Sequence, residues 1–558
     1  MAEKAYLLSR KSDCKDCYKC IRNCPVKAIS FEMGQAQIID SECILCGNCY
    51  VVCPQNAKDV LETVSDVKAA IKAGRRAVAS VAPSFVAAFE MRTIFDMRAA
   101  LQKLGFADAE ETAVGAEMVS REYEKIARDG GGRSVISSAC PAINFLIRKY
   151  YPDMLPHLAA VVTPMHAHCR EIKKADPDAF TVFIGPCVAK KREADEAEAV
   201  DACITFDELK KWMDDAGVSA ISGAPEDGEG KRARFYPTAG GIIKSMDKIP
   251  GYTRVAIDGV DNCISALEEL RGGGLRGAFI EMSACAGSCI NGPIMREHAK
   301  RRVAGNLNVR RYAGNSDFGF SPLAPLETVH AASGIRRVLP GGDAIQAVLN
   351  RMGKTSPEKE LNCGSCGYPT CRDKAIAVCQ GKADITMCLP FLKEKAESFS
   401  DKIIENTPNA ILVMDEDLIV QQLNMAAVKM LKLTSPDDIL HAPVVRILNP
   451  ADYMRVMRTG QTVANLCHYV AEYGIYVEET IIPDKKYRIL ISIMRDVTER
   501  ETRRAAEEDM KKNTIEVTNR VIEKQMRVVQ EITSLLGETT AETKVALNKL
   551  KEAMMDGQ

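Results

Sequence analysis

Four widely separated cysteines carry side chains that can ligate iron. They lie in the segments 137–141, 185–190 and 281–289, and they are Cys140, Cys187, Cys285 and Cys289. A 4Fe-4S cluster requires four thiolates, so a set this dispersed meets only after a large domain has folded around the site. Ordinary buried thiols are the alternative interpretation of each cysteine, because free cysteine is among the most buried residue types.

A tighter cysteine pattern occurs twice near the start of the chain. The pattern C-x-x-C-x-x-C-x-x-x-C-P places three cysteines around one cubane, and the fourth cysteine, before proline, crosses to the other cluster. The predicted ligand sets are therefore Cys14, Cys17, Cys20 and Cys53 for one cluster, and Cys43, Cys46, Cys49 and Cys24 for the other. Structural zinc is the alternative, but it usually uses separated cysteine pairs or includes histidine. No histidine precedes His157. Residues 1–62 are thus predicted to be a two-cluster ferredoxin domain.

A third cysteine set follows a charged linker. It consists of a compact triplet and a distant fourth member, namely Cys363, Cys366, Cys371 and Cys388. This pattern predicts a 4Fe-4S cluster and resembles the small domain of corrinoid iron-sulfur proteins. A four-cysteine set is also compatible with zinc. Cys379 lies on a predicted helix and is not expected to be a ligand. The predicted domain covers residues 355–392.

The three dispersed segments resemble the signature segments of the iron-only (FeFe) hydrogenases. This resemblance implies an H-cluster, in which a cubane on Cys140, Cys187, Cys285 and Cys289 is joined through Cys289 to a two-iron unit. In that family the two-iron unit carries carbon monoxide, cyanide and an azadithiolate bridge. The resemblance also implies that Ser84 and Lys190 donate hydrogen bonds to the cyanides, because a cyanide nitrogen held away from solvent needs donors. Without the motif, Lys190 would be interpreted as a solvated surface charge.

The chain departs from the family pattern at positions that face the cofactor. The first segment has Ala139 where catalytic members have a cysteine that passes protons to the bridgehead amine. Alanine cannot accept or donate a proton, so the usual last step of the relay is missing. Gly185 and Ser283 stand where the family has methionines, which removes bulk beside the cofactor.

Two further residues bear on proton delivery. Glu193 matches an acidic position of the family, whereas the glutamates expected after Gly115 and Ala116 are not in register around residues 121–125. Cys169 is a candidate substitute for the missing donor. The sequence therefore predicts an H-cluster site whose proton supply differs from that of the family.

The elements that must hold these residues are predicted from the hydrophobic pattern. Between residues 75 and 352, apolar strand-like runs alternate with helical stretches, which favours parallel sheets covered by helices. The resemblance implies two lobes with the cluster between them. The predicted fold class is multidomain α/β, with H-cluster domain 75–352 between the ferredoxin domain and the small cluster domain.

The last part of the chain has no cysteine pattern. Residues 398–500 resemble a PAS domain in their order of strands and helices, with a generic α+β module as the alternative. Residues 501–558 lack proline, and the apolar residues Ile515, Ile522, Val529 and Leu536 recur every seven positions. This spacing predicts a coiled coil that forms a homodimer, with a helix packed on its own PAS domain as the alternative.

Composition restricts the partners. The formal net charge of −1 gives no field that would attract nucleic acid or an anionic membrane. No apolar signal core or membrane-spanning stretch is present in the sequence, so the expected location is the cytoplasm. The 21 cysteines then indicate metal ligation rather than disulfides.

Three functions agree with parts of this pattern. A metabolic, ferredoxin-linked hydrogenase explains the clusters but not Ala139 or the last two domains. A relative used in iron-sulfur assembly does not explain Lys190, because it has no cyanides to hold. A sensory hydrogenase of the PAS-containing branch explains the clusters, Lys190, Ala139 and the last two domains. Such a protein is expected to react slowly with dihydrogen and protons and to exchange electrons with a ferredoxin-like or other redox partner. It is also expected to signal to a separate kinase, phosphatase or regulator.

Overall fold

The structure, a computed structural model, describes residues 4–10, 13–219, 230–295, 302–320, 322–335, 339–536 and 540–555. It consists of two compact units, Met1–Leu392 and Lys393–Gln558. Among the described residues, no helix is both long enough and apolar enough to cross a membrane.

The first domain is built from short elements that leave room for cysteine loops. Its elements are β1 (Leu7–Ser9), α1 (Lys19–Arg22), β2 (Ile29–Glu32), β3 (Gln35–Ile38), α2 (Asn48–Val52) and β4 (Lys58–Val60). Strand β1 pairs with β4 and β2 pairs with β3, both antiparallel. Ile21, Ile29 and Ile44 are fully buried between the loops, so a small apolar core holds the two cysteine motifs together.

The second domain alternates strands and helices. Its elements are α3 (Val64–Lys72), β5 (Ala77–Val81), α4 (Phe85–Ala88), α5 (Ile94–Lys103), β6 (Asp108–Glu111), α6 (Thr112–Asp129), β7 (Val135–Ile136), α7 (Pro141–Tyr150), α8 (Pro164–Ala175), β8 (Phe180–Gly185), α9 (Ala189–Glu196), β9 (Ala202–Thr205), α10 (Phe206–Asp215), α11 (Gly241–Ser245), β10 (Thr253–Asp258), α12 (Val260–Arg271), β11 (Ala278–Ser283) and α13 (Arg302–Tyr312). The expected α/β architecture is confirmed.

Two parallel sheets organise this domain. One has the strand order β6-β5-β8-β9 and the other β10-β11-β7. The carboxyl ends of parallel strands are where such folds bind ligands, because the loops that follow them meet there. Cys140 follows β7, Cys187 follows β8 and Cys285 follows β11, so both sheets contribute a loop to one region.

The small cluster domain begins earlier than expected. Its helices are α14 (Gly342–Arg351), α15 (Cys371–Cys379) and α16 (Leu389–Asn406). Ile345 and Leu349 of α14 pack in one apolar cluster with Ala375 of α15 and with Cys388. The sequence interpretation ended the preceding domain at residue 352, but this packing assigns α14 to the small domain.

The second unit contains one antiparallel sheet and two long helices. After α16, its elements are β12 (Ala410–Met414), β13 (Val420–Leu423), α17 (Met425–Met430), α18 (Ala451–Thr459), β14 (Val463–Val470), β15 (Ile475–Asp484), β16 (Ile489–Asp496), α19 (Thr498–Leu536) and α20 (Thr540–Met555). The strand order is β13-β12-β16-β15-β14. One helix was expected over residues 501–558, but the described residues form two. Ile515 and Ile532 are exposed by 39% and 50%, and the side chain of Leu536 lies outside the described residues.

A buried ion pair lies within the second domain, next to the segment through which the chain enters it. Lys191 Nζ donates to Glu208 Oε2 at 2.7 Å and to Thr63 Oγ1 at 2.6 Å. The Lys191 side chain is 1% exposed and that of Glu208 is 8% exposed. Each charge therefore depends on the other for compensation.

We expect Lys191→Met to lower the free energy of unfolding by about 3–5 kcal/mol, because it leaves a buried carboxylate without its cation. Lys211, whose ion pair with Glu62 is exposed, provides the matched control. Lys211→Met should change the free energy by only about 0–1 kcal/mol. Calorimetric melting of both variants checks this, and equal shifts in the two would contradict the prediction.

Candidate iron-sulfur sites and cofactor cavity

The structure brings together the two predicted cysteine sets of the first domain. Cys14, Cys17, Cys20 and Cys53 line one cavity. Burial raises the pKa of Cys43, Cys46 and Cys49, and the neighbouring Cys24 thiolate raises it further. Each set thus takes its fourth member from the other motif. The two crossing cysteines have equivalent surroundings, since the amides of Ala28 and Ala57 each donate to them at 3.3 Å.

The four dispersed cysteines also meet. Cys140, Cys187, Cys285 and Cys289 line a second cavity together with Cys46 of the first domain. Gly47 has φ +74°, and a Cβ added there would lie 2.5 Å from the Pro293 ring. A glycine is therefore needed for the Cys46 loop to approach this closely, and one ferredoxin-type set lies directly beside the dispersed set.

A larger cavity, with an empty volume of about 730 Å³, adjoins the dispersed cysteines. Four of the residues predicted to face the cofactor line it, namely Ser84, Ala139, Lys190 and Ser283. Ser84 precedes α4 at the end of β5, and Lys190 lies in the first turn of α9 after β8. The parallel-strand ends therefore position the polar groups of this cavity as well as the cysteines.

The polar atoms of the cavity fit a ligand that accepts hydrogen bonds. Ser84 Oγ is buried and has no hydrogen-bond partner within the described part of the chain. Lys190 Nζ donates to Thr163 Oγ1 and Glu193 Oε2, both at 2.8 Å, and an ammonium has a third donor. A buried donor without an acceptor is costly. These two donors on the wall of one cavity fit a bound group that accepts hydrogen bonds.

The residues proposed for proton transfer occupy different places. Glu193 is not on the cavity wall; its carboxylate accepts from Lys190 and Thr163, and so it orients the lysine. Cys169 is also absent from the wall, and burial raises its pKa to about 12. The structure therefore gives no support to Cys169 as the substitute donor. Gly185 is close to Phe183, whose ring is beside Lys190.

Sequence reasoning missed a carboxyl group on the cavity wall. Glu281 lies in β11 and is 2% exposed, and burial raises its pKa to about 7. The amide of Ile243 donates to Glu281 Oε2 at 3.0 Å. Glu281 is the first residue of the third signature segment, so its proximity to Cys285 was visible in the sequence, but its burial was not.

The third cysteine set also converges. Cys363, Cys366, Cys371 and Cys388 line one cavity together with the buried Lys354 and Lys374, and no aspartate or glutamate lines it. Burial lowers the pKa of Lys374 to about 8, which the field of a bound anion would oppose. Four thiolates around iron carry net negative charge, so two buried lysines fit this donor set.

The third set is in contact with the first domain. Lys382 Nζ forms an ion pair with Glu42 at 2.6 Å, and the amide of Phe31 donates to the Lys382 carbonyl at 2.8 Å. Arg22 also donates to the Ser365 carbonyl.

Three family profiles match this chain. Residues 75–293 match the profile described as iron only hydrogenase large subunit, C-terminal domain. Residues 7–54 match a 4Fe-4S dicluster domain, and residues 360–390 match an Fe-S cluster domain.

Individual proteins are similar over part of the chain. The periplasmic Fe hydrogenase large subunit of Nitratidesulfovibrio vulgaris is 29% identical over 51% of this chain and 86% of its own length. Iron hydrogenase 1 of Clostridium pasteurianum is 26% identical over 38% of this chain and 47% of its own length. A solved variant of the FeFe hydrogenase HydA1 from Chlamydomonas reinhardtii has 19% identity and a TM-score of 0.37, and the match covers 49% of this chain and 100% of that one.

The cysteine sites and the dicluster profile define a multicluster iron-sulfur protein. The profile over residues 75–293 is more specific. Residues 75–293 are therefore a domain of the iron-only (FeFe) hydrogenase type, and the resemblance of the three cysteine segments to that family is confirmed.

We predict four cubanes in the anaerobically reconstituted full chain, or about 16 irons. Cys388→Ala should lose about four of them, because it removes a ligand of the third set. Cys379, which is exposed and donates to the Ala344 carbonyl, provides the control, and Cys379→Ala should retain all the iron. Iron, sulfide and zinc analysis checks this, and stoichiometric zinc in place of the four irons would contradict it.

Proposed function

We propose that this protein is a sensory FeFe hydrogenase that interconverts dihydrogen with protons and electrons slowly. The observation that carries the proposal is the pairing of four converging cysteines with a cavity in which Ser84 and Lys190 offer unused donors. When bound, the two-iron unit supplies the centre at which dihydrogen is split or formed. The protein supplies binding, orientation and proton delivery.

Lys190 is proposed as the residue that orients the cyanide side of the unit. Its ammonium is held by Thr163 and Glu193, so it has one direction left in which to donate. Both Lys190 and Glu193 are largely buried, with side chains 10% and 14% exposed. This burial keeps water from competing for the remaining donor.

Slow turnover is proposed from the first segment. Ala139 lines the cavity in place of the proton-passing cysteine, and a positioned acid or base typically contributes about 10²–10⁴-fold to rate. Ser283 in place of methionine adds a hydroxyl beside the cofactor instead of apolar bulk. The chain is thus suited to register dihydrogen rather than to produce or consume it rapidly.

Electrons are proposed to enter or leave through the first domain. Cys46 lines the same cavity as the dispersed cysteines, which places one ferredoxin-type cluster beside the H-cluster. The third set contacts the first domain through Glu42 and Arg22. A redox partner that binds beside the first domain or beside the third cysteine set would therefore exchange electrons with the H-cluster through the clusters of these domains.

The second unit is proposed to transmit the signal. Its strand order β13-β12-β16-β15-β14 is that of a PAS domain, and α19 follows it directly. The exposed Ile515 and Ile532 of α19 are apolar positions that a second copy would cover. The proposed output is a homodimer that engages a separate kinase, phosphatase or regulator. The proposed location of the protein is the cytoplasm.

A metabolic, ferredoxin-linked hydrogenase is the second candidate. The similarity to hydrogenases of Nitratidesulfovibrio vulgaris and Clostridium pasteurianum favours it, but Ala139 and the second unit do not. The two candidates differ in turnover, because a metabolic enzyme requires rapid proton delivery.

Loading the full chain with a synthetic two-iron cofactor tests the function. We expect infrared bands of bound carbon monoxide and cyanide, and slow dihydrogen uptake. Ala139→Cys should raise the rate by about 10²-fold, because it restores a thiol at the cavity wall. Ala139→Ser, of similar size but a far weaker acid, is the control and should give a much smaller gain. A protein that gives no cyanide bands would contradict the proposed function.

Truncation after Arg500 tests the output. We expect the truncated protein to retain the infrared bands but to become monomeric, because α19 and α20 are removed. Ile515→Asp should weaken the dimer of the full chain, since it places a charge on the apolar stripe, whereas Lys511→Asp at an exposed polar position should not. Light scattering measures both, and a truncated protein that still dimerises would contradict the role of this region.

A further inference from the structure

A row of polar side chains connects the protein surface with the cofactor cavity. Glu110 in β6 lies at its outer end, and Thr112, the first residue of α6, lies at its inner end. Glu110 Oε2 is 3.2 Å from His168 Nε2, and His168 Nδ1 is 2.8 Å from Ser80 Oγ. Ser80 Oγ is in turn 2.8 Å from Thr112 Oγ1. Thr112 lines the cavity that also contains Ala139, so the row is continuous from one end to the other.

Only the ends of this row meet water or the cavity. The Glu110 side chain is 43% exposed, whereas the His168 side chain is 1% exposed. Ser80 is fully buried and Thr112 is 5% exposed. The middle of the row is therefore closed to solvent, and its groups exchange no protons directly with water.

The fold holds these four groups in register. Ser80 and Glu110 are paired across the parallel strands β5 and β6, so their side chains lie on the same face of the sheet. Helix α8 brings His168 to that face because α6 has Gly115 where the helices meet. A Cβ at Gly115 would lie 2.8 Å from the His168 amide nitrogen and 2.9 Å from its Cβ.

The wall near Ala139 has no comparable connection. Ser138 Oγ bonds to Tyr123 and donates to the Val161 carbonyl at 2.6 Å. A backbone carbonyl accepts a hydrogen bond but passes no proton on, and Tyr123 is fully buried. A hydroxyl relay that starts at Ser138 therefore ends within the protein.

We propose that Glu110, His168, Ser80 and Thr112 form a proton relay between solvent and the cofactor cavity, in place of the route lost at Ala139. This inference rests on the proposed function. A proton from solvent binds Glu110 and passes to His168 Nε2. The imidazolium releases the proton on Nδ1 to Ser80 Oγ, Ser80 releases its own hydroxyl proton to Thr112, and Thr112 releases one into the cavity. Each group gains one proton and loses one, so no charge accumulates in the row. The transfer leaves the His168 ring proton on Nε2 instead of Nδ1, so the ring and the two hydroxyls return to their starting protonation and orientation before the next proton passes. The reverse sequence carries protons out.

The charges around the outer end of the row keep Glu110 ionised between transfers. The bond to His168 lowers the pKa of Glu110, and Arg98 and Arg76 lower it further, although burial opposes them. The ionised carboxylate accepts a proton from solvent and passes it to the ring when the row operates. The two ring nitrogens of His168 join Glu110 to Ser80, whereas the adjacent Cys169 contacts the row at Ser80.

The relay predicts a specific kinetic defect. In protein loaded with the two-iron cofactor, Thr112→Val and Glu110→Gln should each slow dihydrogen uptake by about tenfold or more. They should slow to the same extent the change of the infrared bands after a jump in pH. The resting band positions should stay as in the original chain, because neither residue holds a cyanide. Thr112→Ser, which keeps the hydroxyl, should restore both rates.

Glu122→Gln is the matched control, because Glu122 pairs with Lys125 on α6 and has no bond to His168. It should leave both rates unchanged, and the melting temperatures of the unloaded variants verify folding. Unchanged band kinetics in both Thr112→Val and Glu110→Gln would overturn the relay alone. An original chain without cyanide bands would overturn the proposed function and the relay together.

Discussion

The requirement that four thiolates from three distant segments meet around one cluster governs the architecture of the first unit. Cys140, Cys187 and Cys285 follow strands of two different parallel sheets, so the cluster region lies where the carboxyl ends of both sheets converge. Ser84 and Thr112 follow strands β5 and β6 at the same edge. The cavity wall is therefore a product of the parallel topology: any rearrangement of the sheets would separate the cysteines and the cavity residues at once.

The proposed electron route and the proposed proton route reach the site at different parts of its wall. The Cys46 loop of the ferredoxin-type domain closes one side, where Gly47 allows contact with Pro293. The polar row that ends at Thr112 reaches another part of the wall. With alanine at position 139, the residue that precedes Cys140 presents no thiol to the cavity. In the proposed relay the family's short route is replaced with a longer one that runs through two helices and two strands, and slower exchange is the consequence we expect.

Buried lysines accompany every cysteine set. Lys58 lines the cavity of the Cys14 set and donates to the Ala36 carbonyl, and Lys149 donates to the Cys43 carbonyl in the second set. Lys190 serves the dispersed set, and Lys354 and Lys374 serve the third. Burying a cation is costly unless a negative charge compensates it. The recurrence of this feature is explained if each set holds an anionic iron-sulfur centre.

The sequence alone predicted the grouping of the cysteines. In the compact motifs the spacing limits which thiolates can surround one cluster, and the dispersed set was grouped through its resemblance to the family's signature segments. Motif position also predicted that Ser84, Lys190 and Ala139 face the cofactor cavity. The alternation of apolar runs predicted the α/β class. The sequence could not identify Glu281 as a carboxyl with a raised pKa, the row from Glu110 to Thr112, or the packing of α14 on α15. Serine, threonine and histidine occur throughout any chain, and their chemistry depends on neighbours that are distant in sequence. Burial and hydrogen-bond partners arise only when strands and helices pack, so tertiary structure alone decided which polar residues reach the cavity.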